Sequence, residues 1–388
     1  MKRTLLSLTL ALFLLPALSG CAGLYANVRE VEQLLVIQTM GLDGGEGGVR
    51  LSLASGAGIK AAGSPTRLHA SAPTVSAAIE QIRSRANEDD LFCAHVGHVL
   101  IGEGAAESGV DAFLSYICRS RDLRLSVPLY LVRGGSAEEA VLGVGDESYG
   151  ICDALDAADA DVRLRGDGRL TSAAEIVSSL ARCGSALICA VEYRPSAEEA
   201  RSGGAAAGPV MTVAPAGYGV LKGDRLCGGI DREQAVGVGL LLNDTGPCEL
   251  LVRDREGRPV TLTLERGGSE LRPLWSDAGA LEGLEISVWA VASAAELGVS
   301  GQGGDSAWED DLTARLEAEL ARRVGSVLQL SRELGADFLD LGGRVERADP
   351  RRFAALEPSF GDLLPDLRLR LSVSGRLAHT GDIRGGSA

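Results

Sequence analysis

Short apolar runs and helical periodicities intermix along this chain. Leu34 to Met40 is apolar, and Val49, Leu51 and Leu53 alternate with polar or small residues. The segment between them, Gly41 to Gly48, is rich in glycine, so the pattern predicts a β-hairpin with a loose tip. Within Thr74 to Asn87, Val75, Ala78, Ile79 and Ile82 recur at helical spacing. Val96 to Ile101 and Val127 to Val132 predict buried strands, and Val110 to Cys118 predicts a helix. Ser136 reads as the N-cap of a further helix whose first turn carries Glu138 and Glu139. Farther on, Trp308 to Leu334 places Leu312, Leu316, Leu320, Val324, Val327, Leu328 and Leu334 on one stripe with charge opposite, a helix laid on a sheet. Leu367, Leu369, Leu371 and Val373 alternate with Arg368, Arg370, Ser372 and Ser374, which predicts a half-buried inner strand of an antiparallel sheet. Strands and helices mix without strict alternation. The fold class that follows is α+β, in several domains, each a mixed or mostly antiparallel sheet flanked by helices.

The N-terminus departs from this pattern. Lys2 and Arg3 precede an apolar run from Leu5 to Leu18 that is interrupted only by Ser7, Thr9 and Pro16. At 1.5 Å per residue such a run covers ~21 Å, short of a ~30 Å hydrocarbon core, so it reads as a signal peptide. It ends in Leu18-Ser19-Gly20-Cys21, the bacterial lipobox pattern. A thiol at that position is the nucleophile that accepts diacylglycerol before the chain is cut ahead of it. Cys21 is therefore the expected lipidation site. The resulting organisation is a signal peptide over 1–20, an N-terminal α+β region over 21–193, a Gly/Ala-rich linker or loop over 194–216 and a C-terminal α+β domain over 217–384.

Charge narrows the choice of partners. The 388 residues carry 53 acidic against 38 basic side chains, a net charge of -15, and such a surface repels nucleic acid. No catalytic signature is complete. Gly102-Glu103-Gly104 lacks the third glycine of a dinucleotide fingerprint, and Gly298-Val299-Ser300-Gly301-Gln302 lacks the last glycine of a nucleophile elbow. Asp153, Asp156, Asp159 and Asp161 do not fit a calcium loop, because Leu170 stands where a bidentate carboxylate is needed; they read as a solvated acidic loop. Cys93, His95 and His98 form one metal-like grouping, yet on a strand His98 would face away from the other two. No catalytic residue, cofactor or metal is expected. Of eight cysteines, lipidation of Cys21 leaves Cys93, Cys118, Cys152, Cys183, Cys189, Cys227 and Cys248, an odd set. Cys227 with Cys248 and Cys183 with Cys189 are the pairs open to bridging.

Several segments resemble, in order and spacing, the Ger(x)C family, the lipoprotein C subunits of GerA-type spore germinant receptors. They are Arg29 to Asp43, His98 to Gly109, Ser120 to Arg124 with Pro128, Gly135 to Glu139, Gly219 to Leu226, Gly335 to Gly342 and the stretch ending His379-Thr380-Gly381. The resemblance implies a non-enzymatic subunit, lipid-anchored through Cys21 on the outer face of the spore inner membrane. It would act with A-type and B-type membrane subunits in the response to nutrient germinants. The competing reading is a solute-binding lipoprotein of a nutrient importer, which would carry two parallel-sheet lobes about a cleft.

Overall fold

In the computed structural model the described residues are 34–45, 47–56, 66–85, 90–145, 149–166, 168–196, 210–297, 306–356 and 359–378. The lipobox residues Leu18, Ser19, Gly20 and Cys21, the segment from Gly298 to Gln302 and His379 to Gly381 lie outside them.

The chain opens with β1 (Leu34–Gly45) and β2 (Gly48–Ser55), an antiparallel pair whose register runs out to Gly45 opposite Gly48. The glycine-rich segment expected as a loose tip is thus mostly strand. Then come β3 (Arg67–Ala72), α1 (Val75–Arg85), β4 (Asp90–Phe92), β5 (His98–Gly102), α2 (Glu103–Ser108), α3 (Asp111–Arg119), β6 (Leu129–Arg133) and α4 (Ala137–Gly143). After them follow α5 (Ile151–Arg165), α6 (Ala173–Cys183), β7 (Ser185–Pro195), β8 (Met211–Lys222) and β9 (Arg225–Ile230). These strands form one sheet in the order β3-β2-β1-β5-β6-β7-β8-β9, with β4 added alongside β1. The fold is α+β with mixed sheets, and the centre of this first sheet, from β1 through β5 and β6 to β7, is parallel.

A parallel centre must be covered on both faces, and the sequence supplies that cover. Val99, Ile101, Leu129 and Leu131 point into a core shared with Ile79 and Ile82 of α1, Phe113 and Ile117 of α3 and Ile176 of α6. The alternate residues Leu100, Tyr130 and Val132 meet Ala140 and Val141 of α4 and Ala154 and Leu155 of α5 on the other face.

The second sheet is built from α7 (Arg232–Leu242), β10 (Cys248–Arg253), β11 (Pro259–Trp275), β12 (Leu281–Leu297), α8 (Ser306–Leu334), α9 (Leu341–Ala348), α10 (Pro350–Phe353), α11 (Phe360–Leu363) and β13 (Arg368–Leu377). Its strand order is β10-β11-β12-β13. The stripe on α8 is realised: Leu312, Leu316, Leu320, Val324 and Val327 are fully buried against this sheet and α7. Tyr218, Val220 and Ile230 of the first sheet join the same core, so the two sheets share apolar packing.

Three expectations are corrected. First, of the two forms expected for 194–216, linker or loop, the pairing of its flanks fits the loop. Tyr193 to Pro195 pairs with Met211 to Val213 in a β7–β8 hairpin, and β8 and β9 carry the first sheet to Ile230, past the expected boundary at 217. Second, the acidic residues from Asp153 to Asp161 lie on α5. Ile151, Ala154, Leu155, Ala158 and Val162 fall on its buried side, an apolar period hidden between the aspartates. Third, β13 is neither inner nor antiparallel. It pairs parallel with β12 at the end of the sheet, because α8 intervenes as a crossover that returns the chain in the same direction.

Candidate functional site

The carboxyl ends of β1, β5 and β6 open into a cleft of about 910 Å³, the usual place for a site on parallel strands. Its lining includes Asp43, Arg50, Glu103, Glu107 and Ser136. Asp43 is buried, and its Oδ1 accepts a hydrogen bond from the Ala137 amide at 3.0 Å while Oδ2 accepts from the Glu138 amide at 2.8 Å. The Ser136 hydroxyl accepts from the Glu139 amide at 3.1 Å, and the Glu139 carboxylate reaches back to the Ser136 amide at 3.2 Å. The open amides in the first turn of α4 are thus satisfied by one local cap and one carboxylate from a distant strand. A Cβ at Gly102 would overlap the Asp43 carboxylate, which explains glycine at the end of β5.

The electrostatics follow from this placement. Burial pushes the Asp43 carboxyl upward, opposed by the two amides and by Arg50. Glu138 also loses solvent, yet hydrogen bonds from His69 and Arg50 bring its carboxyl below the usual range. Those partners sit at 2.8 Å and 3.1 Å. On the opposite wall, Glu103 accepts from the Gly134 amide at 2.7 Å. With both oxygens of Asp43 engaged by backbone, the carboxylate locks β1 to the start of α4.

The Cys93, His95 and His98 grouping does not assemble. Cys93 is buried, with its thiol pushed up to about 11 by desolvation, and the His95 ring meets Phe92 edge-on. His98 opens β5 and faces α5 instead. Its Nε2 lies 3.3 Å from Asp156 and 3.7 Å from Asp159, and its Nδ1 lies 3.9 Å from the Cys152 sulfur. Asp159 also accepts from the Tyr130 hydroxyl at 2.7 Å, and burial raises that phenol. The two carboxylates and the thiol approach opposite sides of one ring. Among the described residues no group of three or more His, Cys, Asp or Glu can hold a metal. The thiols of Cys183 and Cys227 are both free, so neither candidate disulfide forms.

A second junction joins segments far apart in sequence. Lys222, at the β8–β9 turn, donates to the Leu334 carbonyl at the end of α8 at 2.8 Å, and the Val110 amide donates to the Asp224 carbonyl at 2.7 Å. Just beyond, the buried Asp337 accepts from the amides of Leu341 at 2.7 Å and Gly342 at 2.8 Å, capping α9. Desolvation pushes its carboxyl up to about 6 against those two bonds. Asp340 holds a left-handed backbone, φ 54°, and accepts from Arg182 at 3.1 Å and the Cys183 thiol at 3.3 Å. Sequence reasoning missed both Asp43 and Asp337 as caps. The signal for Asp337 was an acidic residue shortly before an apolar helix start; for Asp43 no local signal exists.

Parts of four segments that carried the family resemblance lie at these two places: Asp43, Glu103 to Gly109, Gly135 with Ser136, and Lys222 with Asp224, while Asp337 and Gly342 come from a fifth. Comparison with known proteins agrees. Residues 27–142 match the family model described as the spore germination protein N-terminal domain. Among solved structures the chain is similar to the GerBC protein, with a TM-score of 0.58 and 16% identity over 88% of this chain and 97% of that one, a likeness of fold. No curated protein sequence matches. The match makes residues 27–142 a spore germination protein N-terminal domain, and the likeness to GerBC extends the shared fold over most of the chain.

Proposed function

We propose that the protein is the lipid-anchored C subunit of a spore germinant receptor. It sits on the extracytoplasmic face of the membrane and works through contacts with A-type and B-type membrane subunits, without catalysing a reaction. The observation that carries this reading is positional: the family match begins at residue 27, just past the lipobox that ends in Cys21. Among the described residues no helix is long and apolar enough to cross a membrane, and this reading assigns the attachment to lipid on Cys21.

Replacing Cys21 tests the anchor. Cys21→Ala is expected to move the protein out of the membrane fraction and to impair germination; full retention in the membrane fraction without detergent would sink the anchor. Co-purification tests the partners. Detergent extracts of the wild-type protein are expected to contain the two membrane subunits, whereas recovery of importer permease components would establish the solute-binding reading instead.

A further inference from the structure

The edge strand β10 has the features of a self-pairing surface. It stands at one end of the second sheet, with β11 on one side and no strand on the other among the described residues. β10, Cys-Glu-Leu-Leu-Val-Arg, carries no lysine, proline or bulge, and the charges it does expose, Glu249 and Arg253, are of opposite sign, so they can pair with a second copy of the strand in place of repelling it. Its side chains alternate strictly: Cys248, Leu250 and Val252 are buried, and Glu249, Leu251 and Arg253 are exposed. Leu251 is 65% exposed, and with Leu164 of α5, 79% exposed, it lines a groove of about 630 Å³ along this edge.

The backbone direction follows from the turn that ends the strand. The Asp254 amide donates to the Arg258 carbonyl at 3.0 Å, so residue 254 and, by alternation, 252, 250 and 248 aim their backbone groups at β11. Glu249, Leu251 and Arg253 then aim theirs at the open edge. These three residues read Glu, Leu, Arg on the exposed face. Antiparallel pairing about a two-fold axis at Leu251 sets Leu251 against Leu251 of a second copy and Glu249 against Arg253 in both directions. That same register places every outward amide opposite an outward carbonyl. A shift by one residue would bring inward-facing backbone groups to the seam and lose both charge pairs.

We propose that two copies of this chain associate through antiparallel pairing of β10 centred on Leu251, which joins their four-stranded sheets into one continuous sheet. The contact is isologous and closes on itself, so it yields a dimer and no fibre. It covers Leu251 and closes the groove beside Leu164. A six-residue strand is a small contact, so the pairing is weak in free solution and is favoured where copies share a membrane surface.

Site-specific crosslinking tests the register on the full chain, extracted in detergent or reconstituted in vesicles, with the exposed Cys118 and Cys227 changed to serine. Hydrogen-bonded antiparallel partners have Cα atoms about 5.5 Å apart, within disulfide range. Leu251→Cys is therefore expected to form a disulfide-linked dimer under mild oxidation. Glu249→Cys alone is expected to stay monomeric, and a mixture of Glu249→Cys with Arg253→Cys is expected to crosslink between the two. Charge reversal gives a second readout by sedimentation: Glu249→Arg weakens dimerisation about tenfold, and adding Arg253→Glu restores it. Equal crosslinking at Glu249→Cys and Leu251→Cys, or none at Leu251→Cys, overturns the proposal. Crosslinking of Leu251→Cys only to a membrane subunit also overturns it and assigns the edge to a different partner.

Discussion

β5 and β13 are both parallel strands, and their burial could hardly differ more. Every residue of β5, His98 to Gly102, is buried, because helices cover both faces of the first sheet. Along β13 no side chain is fully buried: Arg368, Arg370, Ser372, Ser374 and Arg376 are exposed, while Leu369, Leu371, Val373 and Leu377 are half-buried under α8. The contrast shows that strand direction does not dictate burial. What decides is the number of covered faces, two for the first sheet and one for the second. A one-faced sheet leaves side chains and edges for contacts outside the chain, and β10 lies in that sheet.

Mutations can break or sharpen this comparison. The largest effect is expected on α8, the longest helix over the second sheet, which it covers together with α7 and α9: Leu320→Asp buries an unpaired charge and costs more than about 4 kcal/mol. Proteolysis is expected to attack the second sheet first; a variant that stays folded but loses subunit association would instead make α8 a partner-binding helix. Truncating one leucine from each strand comes next. Leu100→Ala, buried on β5, is expected to cost about 3 to 4 kcal/mol, and Leu371→Ala, half-buried on β13, about 1 kcal/mol. Equal losses in urea titrations would erase the difference between the two strands.

A pH-dependent effect belongs to the junction between the sheets. The folded-state carboxyl of Asp337 stands at about 6, above its ordinary 3.8, so the native state prefers it protonated. Its contribution is fully present below pH 4 and is lost as pH rises through 6, a change of up to about 3 kcal/mol by pH 7. Urea unfolding of wild type against Asp337→Asn between pH 4 and 7 is expected to show that slope only in the wild type. Parallel curves would place the titration elsewhere.

Much of the fold was legible locally. The stripe from Leu312 to Leu328 and the cap at Ser136 each depend on residues three or four positions apart, and both formed as read. The helix α5 was hidden because aspartates at 153, 156, 159 and 161 masked an apolar period of small residues, Ala154 and Ala158 among them. The Gly/Ala-rich stretch after Arg194 looked like a domain boundary, since composition cannot reveal that the strands on either side pair with each other.

The sequence by itself carried the resemblance of residues 27–142 to a spore germination domain, the mixed α+β class and the faces that α8 and β13 turn inward. These rest on short-range order, which periodicity and spacing encode directly. Tertiary structure alone decided that β13 lies parallel at an edge, that Asp43 caps a helix 94 residues away, and that His98 faces Asp156 and Asp159 in place of Cys93. Those outcomes depend on which distant segments become neighbours, and a local pattern is compatible with many such pairings until the whole chain has buried its apolar faces.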